Sequence, residues 1–473
     1  MITSPQAAAP ADATEIDTSS RCTLLLLLGS AVLWLVLSGV LALVNLVQLH
    51  TPSFLADCSV FTYGRTQAMQ ETAFIYGWAA NSGLAVALWI LGRLGGAPLR
   101  SLNWVVGGTL FWNFAIIFGL VGIATGDATS NVWLHLPRYV LPVMLVAYGT
   151  IAASGVLAWT GRHNRMTFAS QWYAVAALFL FPWLFSIAQM LLVFAPERGV
   201  LQALVAGWFV QGAWTLWLAP LALAAGYYLV PKITGRIIPS YDFAILSFWT
   251  LLFVGAWTGG RHLIGGPVPA WVATIAVVSC ALLLFHYIVV GINLRGAFSG
   301  GSMVLKFVGF GVGAYVLGGF VDAATAMRSV AALTQFTHFS EAQTQLALNG
   351  AFSMIIYGAI YFLVPRITDR AWPSAGLIRA HYMIAALGVI VLVAALIGAG
   401  LTQGHDLGDP TVTFAAMAAH VRGWLLAATA AQALLLLGNL LLAVHLLWLG
   451  AARSAAPAAA LLQPAPTMEA YVS

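Results

Sequence analysis

The sequence predicts an all-α, polytopic membrane protein, a bundle of twelve spanning helices, on three observations. Hydrophobic residues make up 61% of the 473 and charged residues only 7%, with a mean hydropathy of +0.92; a soluble domain carries roughly 25% charged residues. The apolar residues come in long unbroken runs, without the in–out alternation of a transmembrane β-barrel strand. Each run approaches the ~20 residues that a helical span requires. This composition excludes a soluble protein and a nucleic-acid reader, and it makes the lipid bilayer the first partner.

Residues 1–20 are rich in Ala, Thr and Ser, with Asp12, Glu15 and Asp17 as their only charges, and read as a disordered tail. The first apolar run, Leu24 to Leu49, is too long for a signal-peptide core and lacks a small-residue cleavage site. It is the first span. The twelve spans fall near 23–48, 72–94, 103–124, 139–159, 171–194, 203–229, 243–263, 270–291, 305–327, 342–363, 380–401 and 423–449. The membrane domain thus covers 21–453, and the Ala/Pro-rich stretch 454–473 reads as a second disordered tail.

Orientation follows from Lys and Arg. With the N-terminus in the cytoplasm, 13 of the 19 basic residues fall on the inner side, Arg165 and Arg453 among them. That is a positive-inside bias, and it predicts a bacterial-type inner membrane protein with both termini cytoplasmic. The net charge of +5 reflects this bias, not an acidic partner. Cys22, Cys58 and Cys280 form no CxxC or CxxCH pattern, so they indicate neither a disulfide framework nor attached haem.

The string YYLVPKITGR at 227–236 returns as YFLVPRITDR at 361–370, 134 residues later. The same offset carries Gln211 onto Gln345. Two spans therefore hold a Gln sixteen residues before one exit motif, the kind of internal repeat that builds shared central sites in membrane proteins. Polar groups within a membrane are costly, so their depth matters. Gln70 and Glu71 precede the second span, Gln211 lies in the outer third of the sixth, Arg261 and His262 end the seventh, and Gln343 and Gln345 open the tenth. All lie near the outer face. Gln343 and Gln345 point about 200° apart on a helix and serve different neighbours. Asp322, in the ninth span, pairs with Arg328 in the simplest reading or relays protons in another.

On these residues the chain resembles subunit I of the heme–copper oxidases, closest to the C-family (cbb-type) cytochrome c oxidase and nitric oxide reductase branch. The stretches GWFVQGAWTLWLAPLALAAGYYLVPKITGR (207–236), FWTLLFVGAWTGGRHLIGGPVPAW (248–271) and TQFTHFSEAQTQLALNGAFSMIIYGAIYFLVPRI (334–367) carry the resemblance. It implies a bundle with a low-spin haem and a high-spin haem paired with copper, held by histidines on the second, sixth, seventh and tenth spans. Matched to that pattern, the haem-ligand positions fall at Gln70, Gln343 and Gln345. The copper-ligand positions fall at Gln211, Arg261 and His262, and the active-site tyrosine at Gly255. Only His262 keeps an imidazole. An amide offers a weak oxygen donor, and a guanidinium stays protonated and cannot ligate copper. Arg261 could instead take the copper's place as a cation, bonding Gln oxygens or a carboxylate such as Glu341.

The expectation is therefore a homologue without haem or copper, a structural or regulatory partner of other respiratory-complex subunits, including a ligand-complete subunit I. Two alternatives stand beside it. One is an oxidase or nitric oxide reductase subunit with haem on relocated histidines; His286, His338, His420 and His445 each have a plainer reading as hydrogen-bonded or headgroup-facing. The other is a proton or small-molecule transporter that reuses the emptied cavity, with Arg261 binding an anion or quinone.

Overall fold

The computed structural model describes residues 12–164 and 166–451. Residues 1–11 and 452–473 lie outside it, with most of both expected tails, as do Arg165 and Arg453 of the orientation count. The described chain is helical, with no strand among these residues. Twelve helices are long and apolar enough to cross a membrane: α1 (Ala13–His50), α2 (Tyr63–Gly95), α3 (Leu102–Thr125), α4 (Leu141–Thr160), α5 (Ala169–Phe194), α6 (Val200–Thr234), α7 (Tyr241–Leu263), α8 (Ala270–Ser299), α9 (Met303–Thr325), α10 (His338–Thr368), α11 (Ala375–Gly408) and α12 (Phe414–Ala451).

The hydropathy runs locate every span but understate several. Helix α1 begins at Ala13, inside the expected tail, because Asp17 is buried. Asp17 accepts a hydrogen bond from Trp89 Nε1 (2.8 Å) and pairs with Arg93 (3.3 Å), both on α2. Helix α2 begins at Tyr63, so Gln70 and Glu71 lie within it and not before it. In both places a polar helical extension is held by partners that hydropathy does not register.

Helices α2, α6 and α10 form the centre. The most apolar stretch is wholly buried in α2 and α6 and 89% buried in α10, against 33–56% in the other nine spans. The outer helices pack around them, and α1 meets α12 to close the bundle. The 134-residue echo is part of a threefold pattern, one central helix in every four. Each central helix carries its Gln (Gln70, Gln211, Gln345), then widens into a π-helical stretch at 73–79, 213–218 and 346–353. Ala80 N–H thus bonds back to Ile75, and Ala219 N–H to Trp214. Each ends on a left-handed residue, Gly96, Gly235 or Asp369. Such wide turns are rare and recur at functional sites.

Aromatic side chains knit the centre together. Trp78 of α2 donates to Ser353 Oγ of α10 (2.9 Å) and packs on Tyr357 at 5.3 Å between ring centroids. Trp217 of α6 meets Phe181 of α5 at 3.9 Å. Helix α11 lies against the start of α10 and the short helix Arg328–Thr334 that precedes it. At Gly400 and Gly404 a Cβ would overlap the Phe339 amide and the Leu333 carbonyl oxygen, both backbone atoms. Gly404→Val is therefore expected to destabilise the protein by about 3 kcal/mol, the upper end for overpacking. Melting of the detergent-solubilised variant checks it; an unchanged melting temperature contradicts it.

Candidate functional site

The site forms where α7 leaves regular α-helical geometry. Residues Gly255–Leu263 tighten into a 3₁₀ helix. The sequence TGGRH makes this possible, because at Gly259 any Cβ would overlap the Gly207 backbone of α6. The close approach turns Arg261 inward, where it is 9% exposed.

Arg261 Nη1 lies 2.7 Å from Asp322 Oδ1 of α9. The same carboxylate oxygen accepts from Gln343 Nε2 of α10 (2.8 Å), which also reaches Thr325 Oγ1 at 3.1 Å. Gln335 Nε2 donates to the Arg261 carbonyl at 2.8 Å. One ion pair with its amides thus fastens α7, α9 and α10. Gln211, Thr258, Cys280, Tyr287 and Gly319 wall the same spot, and the space between them admits no water-sized sphere.

Two expected pairings are corrected here. Asp322 pairs with Arg261 and not with Arg328, which lies beyond the end of α9 and is exposed. Arg261 does not reach Glu341. Glu341 Oε1 instead accepts from Gln345 Nε2 (2.7 Å), and Gln345 Oε1 accepts from Asn349. The ~200° between Gln343 and Gln345 explains both results. Gln343 faces α9 and the ion pair, while Glu341, Gln345 and Asn349 share the other face at i, i+4 spacing.

On α2, Gln70 is partly buried and its side chain makes no hydrogen bond among the described residues, so it joins neither cluster. Its neighbour Glu71 binds His135 at 2.9 Å and accepts from Gln67 at 3.3 Å. His135, in the α3–α4 connection, carries no local sequence signal that marks it as a partner of α2. His262 lies on the exposed side of α7, and its ring Nε2 accepts from Arg261 Nε at 3.4 Å. At Gly255 a Cβ would stand 2.9 Å from Thr215, so a larger side chain requires α6 to give way. The side chains of three of the four other candidate histidines have ordinary partners, while for His338 it is the backbone amide that donates, to Gln403 Oε1 at 3.0 Å. His286 sits between Ser247 Oγ and Tyr315 Oη, each at 2.9 Å; His420 binds Asp406 at 2.9 Å; and His445 accepts from the Ser374 amide at 3.3 Å.

The donors at these positions do not fit a haem iron or a copper ion. Gln343 and Gln345 direct their amides at carboxylates, Arg261 is committed to Asp322, and the one imidazole points outward. Among the described residues no three His, Cys, Asp or Glu side chains gather where they could hold a metal.

Residues 23–434 match the sequence profile of the family described as cytochrome c and quinol oxidase polypeptide I. The chain is 24% identical over 394 residues to a cytochrome c oxidase subunit 1 homolog of Azorhizobium caulinodans, covering 79% of this chain and 71% of that protein. It is 24% identical over 405 residues to the cbb3-type cytochrome c oxidase subunit CcoN1 of Stutzerimonas stutzeri, covering 81% and 85%. Among solved structures, a heme-copper terminal oxidase dimer shares the fold, with TM-score 0.71 and 12% identity, over 92% of this chain and 85% of that one.

Proposed function

Because the chain belongs to the cytochrome c and quinol oxidase polypeptide I family, we propose that it is a subunit I homologue that has given up haem and copper and serves as a non-catalytic structural or regulatory partner in a respiratory complex. The observation that carries this reading is the Arg261–Asp322 pair at 2.7 Å. It puts a permanent cation, already neutralised, where the resemblance expects a metal held by neutral imidazoles. The same pair argues against an anion- or quinone-binding Arg261, since its charge is satisfied by the chain itself. The chain is an integral membrane protein; we place it in a bacterial inner membrane with both ends cytoplasmic, on the bias of its Lys and Arg residues. Its partner in this reading is a ligand-complete subunit I or another respiratory subunit that packs against the bundle.

The pyridine haemochrome assay on protein purified from its own membrane tests the reading. The expected result is no haem. A Soret band with haem at one or two per chain overturns it in favour of an oxidase or reductase with relocated ligands.

A further inference from the structure

We propose that the basic ends of α2, α6 and α10 form a binding site for a phosphate-bearing anion, held by Arg93, Lys232 and Arg366. Each central helix ends with an aromatic residue followed four positions later by a cation: Trp89 and Arg93, Tyr228 and Lys232, Phe362 and Arg366. The three aromatic rings meet on the bundle axis, with centroids 5.1, 6.1 and 6.2 Å apart. They form a closed floor. The Arg366 guanidinium stacks on Phe362 at 3.4 Å, and that of Arg93 lies 5.7 Å from the Trp89 centroid. Lys232 is within electrostatic reach of both arginines. All three cations are partly exposed above the floor.

Known biases account for one basic residue at each helix end, through the positive-inside rule and the C-terminal dipole. They do not account for the convergence of three, because like charges brought together in partly desolvated surroundings repel. Among the described residues Asp17 is the one carboxylate facing the group, and it is engaged by Arg93. Two positive charges are left over. Arg93 also donates to the Ala13 carbonyl, and Arg366 to that of Phe362. The Lys232 ammonium makes no hydrogen bond or ion pair among the described residues, so a strong donor stands free within reach of the two arginines. Two surplus charges and donors arriving from three helices suit a tetrahedral dianion with several acceptor oxygens better than a single carboxylate. The aromatic floor stops such a ligand at the mouth. A phospholipid headgroup and a soluble phosphate offer the same chemistry.

The test uses the full chain, delipidated in a neutral detergent. Melting is followed with inorganic phosphate against chloride at matched ionic strength, then in phosphatidylcholine nanodiscs with and without phosphatidylglycerol. Protection is expected from at least one probe. Lys232→Gln is expected to weaken it about tenfold, in the range of one charge-assisted hydrogen bond, Lys232→Gln/Arg366→Gln to abolish it, and Lys232→Arg to keep it. Protection by inorganic phosphate assigns a soluble source, and protection by phosphatidylglycerol alone assigns a lipid headgroup. Lys232→Gln breaks no described contact and removes one of three like charges, so its melting without ligand should not fall below that of the unaltered protein. If neither probe protects, or protection persists unchanged in the double variant, the proposal fails.

Discussion

Asp322→Leu is expected to destabilise the protein by about 3–5 kcal/mol, and Arg261→Met/Asp322→Leu to recover most of that loss. The pair is buried, with side chains 10% and 18% exposed. Removing the carboxylate alone strands a guanidinium that cannot shed its proton, in a space too tight for a screening water. Gln343 then loses the nearer of its two acceptors as well. Arg261→Met alone should cost less, because Asp322 keeps its hydrogen bond from Gln343 Nε2. Replacing both charges by apolar groups removes the ion and its desolvation together, which is often neutral for buried pairs. Thermal or denaturant unfolding of the four proteins in detergent gives the coupling energy. Additive single losses would mean that the two residues do not act as a unit, and the cross-link between α7, α9 and α10 would have to be sought elsewhere.

Features that depend on composition were legible in the sequence. Twelve spans follow from apolar runs, because a membrane selects for length and hydropathy before anything else. Features that depend on long-range pairing were not. Asp17 reads as a tail charge until Trp89 and Arg93 are brought to it, more than seventy residues along the chain. The repeat was visible between α6 and α10, where ten residues nearly match. It was hidden in α2, which keeps only the Gln, the π turn, the aromatic–cation spacing and the left-handed cap. The opposed directions of Gln343 and Gln345 were also legible. Their partners were not, because helix α9 presents Asp322 sideways to α7 and α10, and no local spacing reports which neighbour it meets. Arg328 looked like the natural partner because it is close in sequence, yet the chain has already left the helix there.

Copper is expected to bind only when the imidazole set is rebuilt as a set. The unaltered protein and Arg261→His should each carry essentially no copper after equilibration with buffered copper and gel filtration, measured by elemental analysis. Gln211→His/Arg261→His should carry a measurable fraction. One imidazole at position 261 gives a single donor and leaves Asp322 without its cation, so the single variant loses stability and gains no site. The double variant adds Gln211, which already lines the same space as Asp322, and His262 can contribute a third nitrogen if it turns in from the surface. Three nitrogen donors are what a copper site of this type requires. Shortening Arg261 also opens the volume, which at present admits nothing the size of a water. Occupancy should stay below one per chain, because the rebuilt histidines lack the outer hydrogen bonds that fix a ligating ring. The tyrosine cannot be restored in the same step, since a side chain at Gly255 would press on Thr215 at 2.9 Å. One copper per chain in the unaltered protein, surviving a chelator wash, would show that Arg261 does not stand in for the metal.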